Sequence, residues 1–255
     1  MSRRVLIAGN WKMNKTPQET ETFIKTLVPS LPADLEAEIL VIPPYTNLDR
    51  AGQLLSGTDV SLGAQDLYFE RAGAFTGAVS GDMLVACRCG YVLIGHSERR
   101  HVFGDGDDTL SRKLNAALDA GLHPILCIGE TLEQRNAGQM EAVVAAQLAA
   151  VVDGLKRAGD IGISYAYEPV WAIGTGETAT PAQAQDASRF VRSWIREQLS
   201  ASAAEAARIL YGGSVKPGNA AELLSQPDID GALIGGASLD PEAFLQILLA
   251  SQPGG

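Results

Sequence analysis

The stretch Tyr91-Val92-Leu93-Ile94-Gly95-His96-Ser97-Glu98-Arg99-Arg100 carries a strand, a turn and the start of a helix in one short segment. Its apolar run is continuous rather than alternating, which is how a strand covered on both faces reads. Gly95 ends the run, and Ser97 reads as the capping residue of a helix whose first turn is Ser97-Glu98-Arg99-Arg100. The same order of run, turn and helical spacing recurs about every thirty residues along the chain. The other runs are Val5 to Ala8, Ile39 to Ile42, Val60 to Gly63, Pro124 to Ile128, Ile163 to Tyr167, Ile209 to Tyr211 and Ala232 to Ile234. Segments with helical spacing stand between them, as in Val144, Leu148, Val151 and Leu155.

Strands joined by crossover helices run parallel, and eight such units in 255 residues suit a closed ring better than an open sheet. The sequence therefore predicts an α/β fold, an eightfold β/α barrel with a closed parallel sheet. No proline- or serine-rich linker or shift in charge divides it, so residues 1–255 are expected to form a single β/α barrel domain with a frayed Gln252-Pro253-Gly254-Gly255 tail.

Hydrophobic residues at 46% and charged residues at 20% supply a large core and exclude wholesale disorder. Thirty acidic against twenty basic residues give a net charge of -10, which repels nucleic-acid phosphates, and no basic patch overrides it. No apolar run reaches membrane-spanning length, and Met1-Ser2-Arg3-Arg4 precedes too few apolar residues for a signal peptide. A cytoplasmic protein with neither nucleic-acid nor membrane partners is expected. Cys87, Cys89 and Cys127 form no Cys-x-x-Cys pair, and His96, His101 and His123 lack ligand spacing, so no metal site is expected. Cys87-Arg88-Cys89 is too tight for an unstrained disulfide, and Cys127 reads as a packed thiol in a strand.

In such a barrel the residues just beyond each strand gather at one mouth. They include Asn10 and Lys12 after the first strand, His96 after the fourth, Glu168 after the sixth, and Gly212-Gly213-Ser214 and Gly235-Gly236 after the last two. Partial desolvation at a strand end suits Glu168 to act as a general base. The positive end of the following helix disfavours imidazolium at His96, leaving a ring that donates a hydrogen bond to a developing oxyanion. Lys12 suits neutralisation of a phosphate or an enediolate, and equally imine formation with a carbonyl substrate. Turns without Cβ atoms let backbone N–H groups reach a phosphate. The segment Pro169 to Gly176 sets bulky Trp171 and Ile173 between proline and glycine, a composition suited to a lid. Gly174, Gly176 and Ala179 also match a weak dinucleotide fingerprint, discounted because it does not open the first β/α unit.

Four blocks carry a more specific signal: Gly9-Asn10-Trp11-Lys12-Met13-Asn14, Ile94 to Arg100, Ala166 to Gly176, and Tyr211-Gly212-Gly213-Ser214-Val215. On these blocks the chain resembles the triosephosphate isomerase family from its first strand to its last. The resemblance implies interconversion of dihydroxyacetone phosphate and D-glyceraldehyde 3-phosphate, a step of glycolysis and gluconeogenesis, with no metal or cofactor. It implies Glu168 as the base, His96 as the neutral electrophile, and Lys12 and Asn10 as enediolate stabilisers. It implies phosphate binding near Gly174, Ser214, Gly235 and Gly236, beneath a lid from Pro169 to Gly176.

The resemblance further implies a homodimer built on the loop Gly73-Ala74-Phe75-Thr76-Gly77, with Phe75 as an apolar anchor and Thr76 reaching toward the partner near Lys12 and Glu98. Two positions depart from the family pattern: Ala78 and Asp105 stand where glutamate is commoner, and Ala78 removes a possible partner for Arg99. Two other readings stay open at this stage, a barrel aldolase working through Lys12 and a barrel that binds phosphorylated metabolites or proteins without turnover.

Overall fold

The computed structural model describes residues 3–158, 162–172 and 178–252. Eight parallel strands form a closed barrel in chain order: β1 (Leu6–Asn10), β2 (Glu38–Ile42), β3 (Val60–Ala64), β4 (Tyr91–Ile94), β5 (His123–Ile128), β6 (Ser164–Tyr167), β7 (Arg208–Tyr211) and β8 (Gly231–Ile234). All eight apolar runs are strands, with ends displaced by at most two residues. The ring closes where β1 pairs with β8, Leu6 opposite Gly231 and Ala8 opposite Leu233. Gly231 is obligatory there, since its φ of 152° is open only to glycine and a Cβ would lie 1.9 Å from the Leu6 carbonyl oxygen.

Alternation along each strand divides two cores. Leu6, Ala8, Leu40, Leu93, Ile125 and Leu210 are among those filling the barrel interior, while Ile7, Ile39, Val41, Val92, Leu126 and Ile209 face the surrounding helices. Both faces of the sheet are apolar because both are covered, which explains why the runs do not alternate. Each leucine, isoleucine or valine among them taken from water contributes roughly 1.5–3 kcal/mol.

Local signals start the helices. Thr16 caps the helix Pro17–Ser30 through Glu19, and Thr180 caps Pro181–Gln198 through Gln183, each a reciprocal capping box with proline in the first turn. The helical stretch read from Val144 to Leu155 is two helices, Met140–Ala149 and Val152–Arg157, interrupted at Val151 with φ -118° and ψ 13°. Val144, Leu148, Val151 and Leu155 are nevertheless all buried. At the N-terminal mouth Tyr91 donates to Glu38 at 2.6 Å, and Arg208 bonds Glu38 at 2.5 Å and the Tyr91 oxygen at 3.0 Å, tying β2, β4 and β7 together. Among the described residues no helix is long and apolar enough to cross a membrane.

Candidate active site

At the opposite mouth the C-terminal strand ends surround a cavity of about 560 Å³, lined by Asn10, Lys12, His96, Glu168, Ser214 and Gly235 among others. Gly236 also lines it. Gly174 lies outside the described residues, as do Ile173 to Gly176 of the expected lid and Pro253 to Gly255 of the expected frayed tail.

Glu168 follows β6 and is buried, 2% exposed. Its Oε2 accepts the Ser97 N–H at 2.8 Å, and its Oε1 lies 3.1 Å from His96 Nε2. Nδ1 of His96 accepts the Glu98 N–H at 3.2 Å. A ring nitrogen that accepts carries no proton, so this pattern assigns the proton to Nε2, which points at Glu168. It also corrects the capping residue: His96, not Ser97, caps the short helix Ser97–His101, because the imidazole lone pair does the work of a cap oxygen and Ser97 is already helical.

Lys12 adopts φ 51°, a left-handed conformation that a side chain bearing Cβ holds only under constraint. The constraint is visible. Its N–H donates to Asn10 Oδ1 at 3.0 Å and its carbonyl accepts Gln65 Nε2 at 2.7 Å, while Gln65 also donates to the Ile42 carbonyl at 3.1 Å. The ammonium reaches Glu98 Oε1 at 2.6 Å.

Gly235 and Gly236 open the turn Gly236–Leu239 beside Lys12, with Gly235 placed so that a Cβ would lie 3.5 Å from Lys12 Cε. Gly212 serves differently from the expected cradle. Its N–H donates to the Tyr167 carbonyl at 2.7 Å, and a Cβ on it would sit 2.8 Å from Glu168 Cγ, so it makes room for the Glu168 side chain. Ser214 Oγ donates to the Ala172 carbonyl at 3.1 Å, joining the turn after β7 to the segment after β6.

Trp171 is half-buried, and its indole N–H donates to Glu130 Oε1 at 3.0 Å. Glu130 is wholly buried and also accepts the Tyr167 hydroxyl, at 3.0 Å to each oxygen. Burial and then the neighbouring carboxylate raise the Tyr167 pKa, keeping the phenol protonated as donor. Cys127 is fully buried inside the barrel, and burial followed by the nearby Glu168 carboxylate raises its thiol well above the ordinary value, as suits a packing residue. Arg99 pairs with Asp105 at 3.0 Å and with Asp66 at 3.3 Å, so it has carboxylate partners without one at position 78.

Gln65, Gly129 and Glu130 were not among the sequence candidates, although each stands just after a strand end, β3 or β5, where the mouth rule points.

The chain has counterparts among known proteins. The family model for triosephosphate isomerase matches residues 5–251. The chain belongs to the triosephosphate isomerase family. A triosephosphate isomerase of Roseiflexus sp. (strain RS-1) is 50% identical over 246 residues, 96% of this chain and 97% of the relative. That of Solibacter usitatus is 49% identical over 96% of this chain and 99% of its own length, and that of Rhodopirellula baltica 48% identical over 98% and 99%. The matches run from β1 to the last helix, so family membership covers both the barrel and its mouth.

Proposed function

We propose that Glu168 and His96 move the protons in this triosephosphate isomerase, with Lys12 and Asn10 stabilising the charge that develops. The chain is an aldose-ketose isomerase of triose phosphate, interconverting dihydroxyacetone phosphate and D-glyceraldehyde 3-phosphate in glycolysis; the same reversible step serves gluconeogenesis. The observation that carries the assignment of roles is the facing pair, Glu168 Oε1 and His96 Nε2, at 3.1 Å on the cavity wall.

Glu168 takes a proton from the carbon beside the carbonyl, and the electron pair moves onto the carbonyl oxygen. His96 Nε2–H donates to that oxygen as charge accumulates, and the Lys12 ammonium stabilises the enediolate. Glu168 then returns the proton to the neighbouring carbon while His96 passes one between the two oxygens. The carbonyl and hydroxyl exchange places within one molecule, so no external oxidant or reductant enters the balance. An ammonium paired with Glu98 is not the free amine that an imine needs, which disfavours the aldolase reading.

Phosphate is held by Gly235, Gly236 and Ser214, which line the cavity with Lys12, and by Gly174, as the family resemblance implies. Residues 1–255 act as one barrel domain in the cytoplasm. Two copies assemble through the Gly73 to Gly77 loop. That reading is supported by apolar side chains left uncovered in the single chain: Met13 at 94% exposed, Val102 at 73%, Phe103 at 64% and Phe75 at 40%.

Glu168→Asp tests the base. Withdrawing the carboxylate by one carbon lowers kcat by about 100-fold with folding intact, measured by coupling isomerisation of glyceraldehyde 3-phosphate to an auxiliary reductase. Turnover unchanged in a folded variant removes Glu168 from the role.

A further inference from the structure

We infer that Gln147, on the helix Met140–Ala149 outside the barrel, is a positioning residue for the general base. The inference rests on the assignment of Glu168 given above. Gln147 grips the backbone of Gly129 at both ends: its Oε1 accepts the Gly129 N–H at 2.8 Å and its Nε2 donates to the Gly129 carbonyl at 3.0 Å. A side-chain amide paired this way copies the two-bond contact of a neighbouring strand. It supplies that contact just beyond the end of β5, where ladder pairing with the barrel has stopped.

The other side of Gly129 lies against the base. A Cβ on Gly129 would meet the Glu168 carbonyl oxygen at 1.8 Å and the carbonyl carbon at 2.6 Å. The two backbones therefore touch with no side chain between them. The flanking residues are bonded across the same seam, Glu168 N–H to the Ile128 carbonyl at 2.7 Å and Val170 N–H to the Glu130 carbonyl at 3.1 Å. Gly129 itself makes no such bond across the seam among the described residues, because its N–H and carbonyl both turn outward to Gln147.

The consequence is mechanical. Glycine has the widest conformational freedom of any residue, and without the amide its buried N–H and carbonyl would be unsatisfied and drawn to other partners. Rotation of the Gly129 peptides would then shift the surface on which the Glu168 backbone rests. The residue that fixes the base is thus a half-buried glutamine one layer out, acting through a glycine.

Gln147→Leu keeps the volume and removes both bonds, and Gln147→Glu keeps an acceptor for the Gly129 N–H but sets a carboxylate oxygen against the Gly129 carbonyl. Both are measured for kcat, KM and competitive inhibition by inorganic phosphate, with thermal unfolding alongside and Glu168→Asp in the same series. Gln147→Leu is expected to lower kcat about tenfold, since sub-ångström displacement of a reacting group costs on that order, while KM and phosphate inhibition stay within twofold. Gln147→Glu is expected to regain activity relative to the parent as the pH falls, because the protonated acid again donates to the Gly129 carbonyl.

A purely structural role would lower the unfolding temperature and leave kcat per folded site and the pH-dependent ratio unchanged, and that outcome overturns the inference. If the leucine variant fails to fold, the ratio for Gln147→Glu decides alone, and a flat ratio overturns the inference. If Glu168→Asp retains full turnover, the base assignment itself falls. If only the Gln147 variants retain it, the base stands and the positioning role does not.

Discussion

Gly129→Ala places a methyl carbon 1.8 Å from the Glu168 carbonyl oxygen, where real Cβ contacts are essentially never closer than 3.0 Å. The two backbones must therefore separate by at least 1.2 Å, the difference between those distances. No flexible side-chain tip is present to yield, because both partners are main chain. Gly129 is tethered by Gln147, and Glu168 by its N–H bond to Ile128, so the displacement is shared. Half of it moves the root of the Glu168 carboxylate, the proposed base, by about 0.6 Å. A misplacement of about 1 Å costs about 100-fold, so kcat should fall by roughly 10- to 100-fold, equivalent to about 1.4–2.7 kcal/mol of barrier.

The same crowding should destabilise the fold by about 1–3 kcal/mol, lowering the unfolding temperature by roughly 2–4 °C per kcal/mol in a chain of this size. KM should change little if phosphate sits, as proposed, on the turn after β8. The assay is turnover of glyceraldehyde 3-phosphate at saturating and sub-saturating concentrations, with a thermal melt on the same sample. Gly212→Ala serves as the milder companion: its Cβ would stand 2.8 Å from Glu168 Cγ and needs a retreat of only 0.2 Å from the 3.0 Å limit. Its loss should be a few-fold. A folded Gly129→Ala whose kcat lies within threefold of the parent refutes the reasoning.

Lys12→Gly relieves a left-handed φ of 51° and should raise stability by about 1 kcal/mol while abolishing turnover; a lowered unfolding temperature would show that Lys12 is not strained. Phe75→Asp should weaken self-association by at least about thirtyfold, as loss of an apolar anchor does; sedimentation at micromolar concentration reads it, and an unchanged mass removes Phe75 from the contact. At Glu38, burial favours the acid, but bonds from Tyr91 and Arg208 outweigh it and hold the folded pKa below the ordinary value. The unfolded chain, with a value near 4.3, then binds protons first, so this stabilisation is complete above that value and lost as the pH falls through the folded one. Glu38→Gln should thus destabilise at pH 7 with a deficit that shrinks below about pH 4, and a deficit independent of pH counts against the linkage.

The barrel was legible because burial on both faces leaves an unbroken apolar run, and all eight runs became strands. That Asn10, Lys12, His96 and Glu168 line one cavity was legible because strand ends of a parallel barrel share one mouth. What sequence concealed was how those residues are held. Capping rules point to serine, yet the imidazole of His96 takes the position because Nδ1 is also an acceptor. Gln65, Gly129 and Glu130 follow β3 and β5 directly, and the mouth rule applied to every strand would have found them. Gln147 could not be found this way. It lies 18 residues from Gly129 in the middle of a helix, and nothing local distinguishes a glutamine that faces solvent from one that grips a backbone.

These particulars divide the site into fixed and movable parts. The His96 ring accepts the Glu98 N–H, and Glu168 lies between Gly129, against its carbonyl, and Gly212, against its Cγ, where an added Cβ would force a large shift at the first and a small one at the second. The carboxylate of Glu168, by contrast, is held by the Ser97 N–H and by His96 Nε2, with the buried Cys127 thiol beside it. In the roles proposed above His96 Nε2–H donates to a substrate oxygen, so substrate engaged there would take from the carboxylate its bond to His96. Freed there, the carboxylate turns about its own side-chain torsions while its backbone stays clamped. On that reading the proposed proton donor and the proposed base are coupled through one hydrogen bond, and engaging the first would loosen the second.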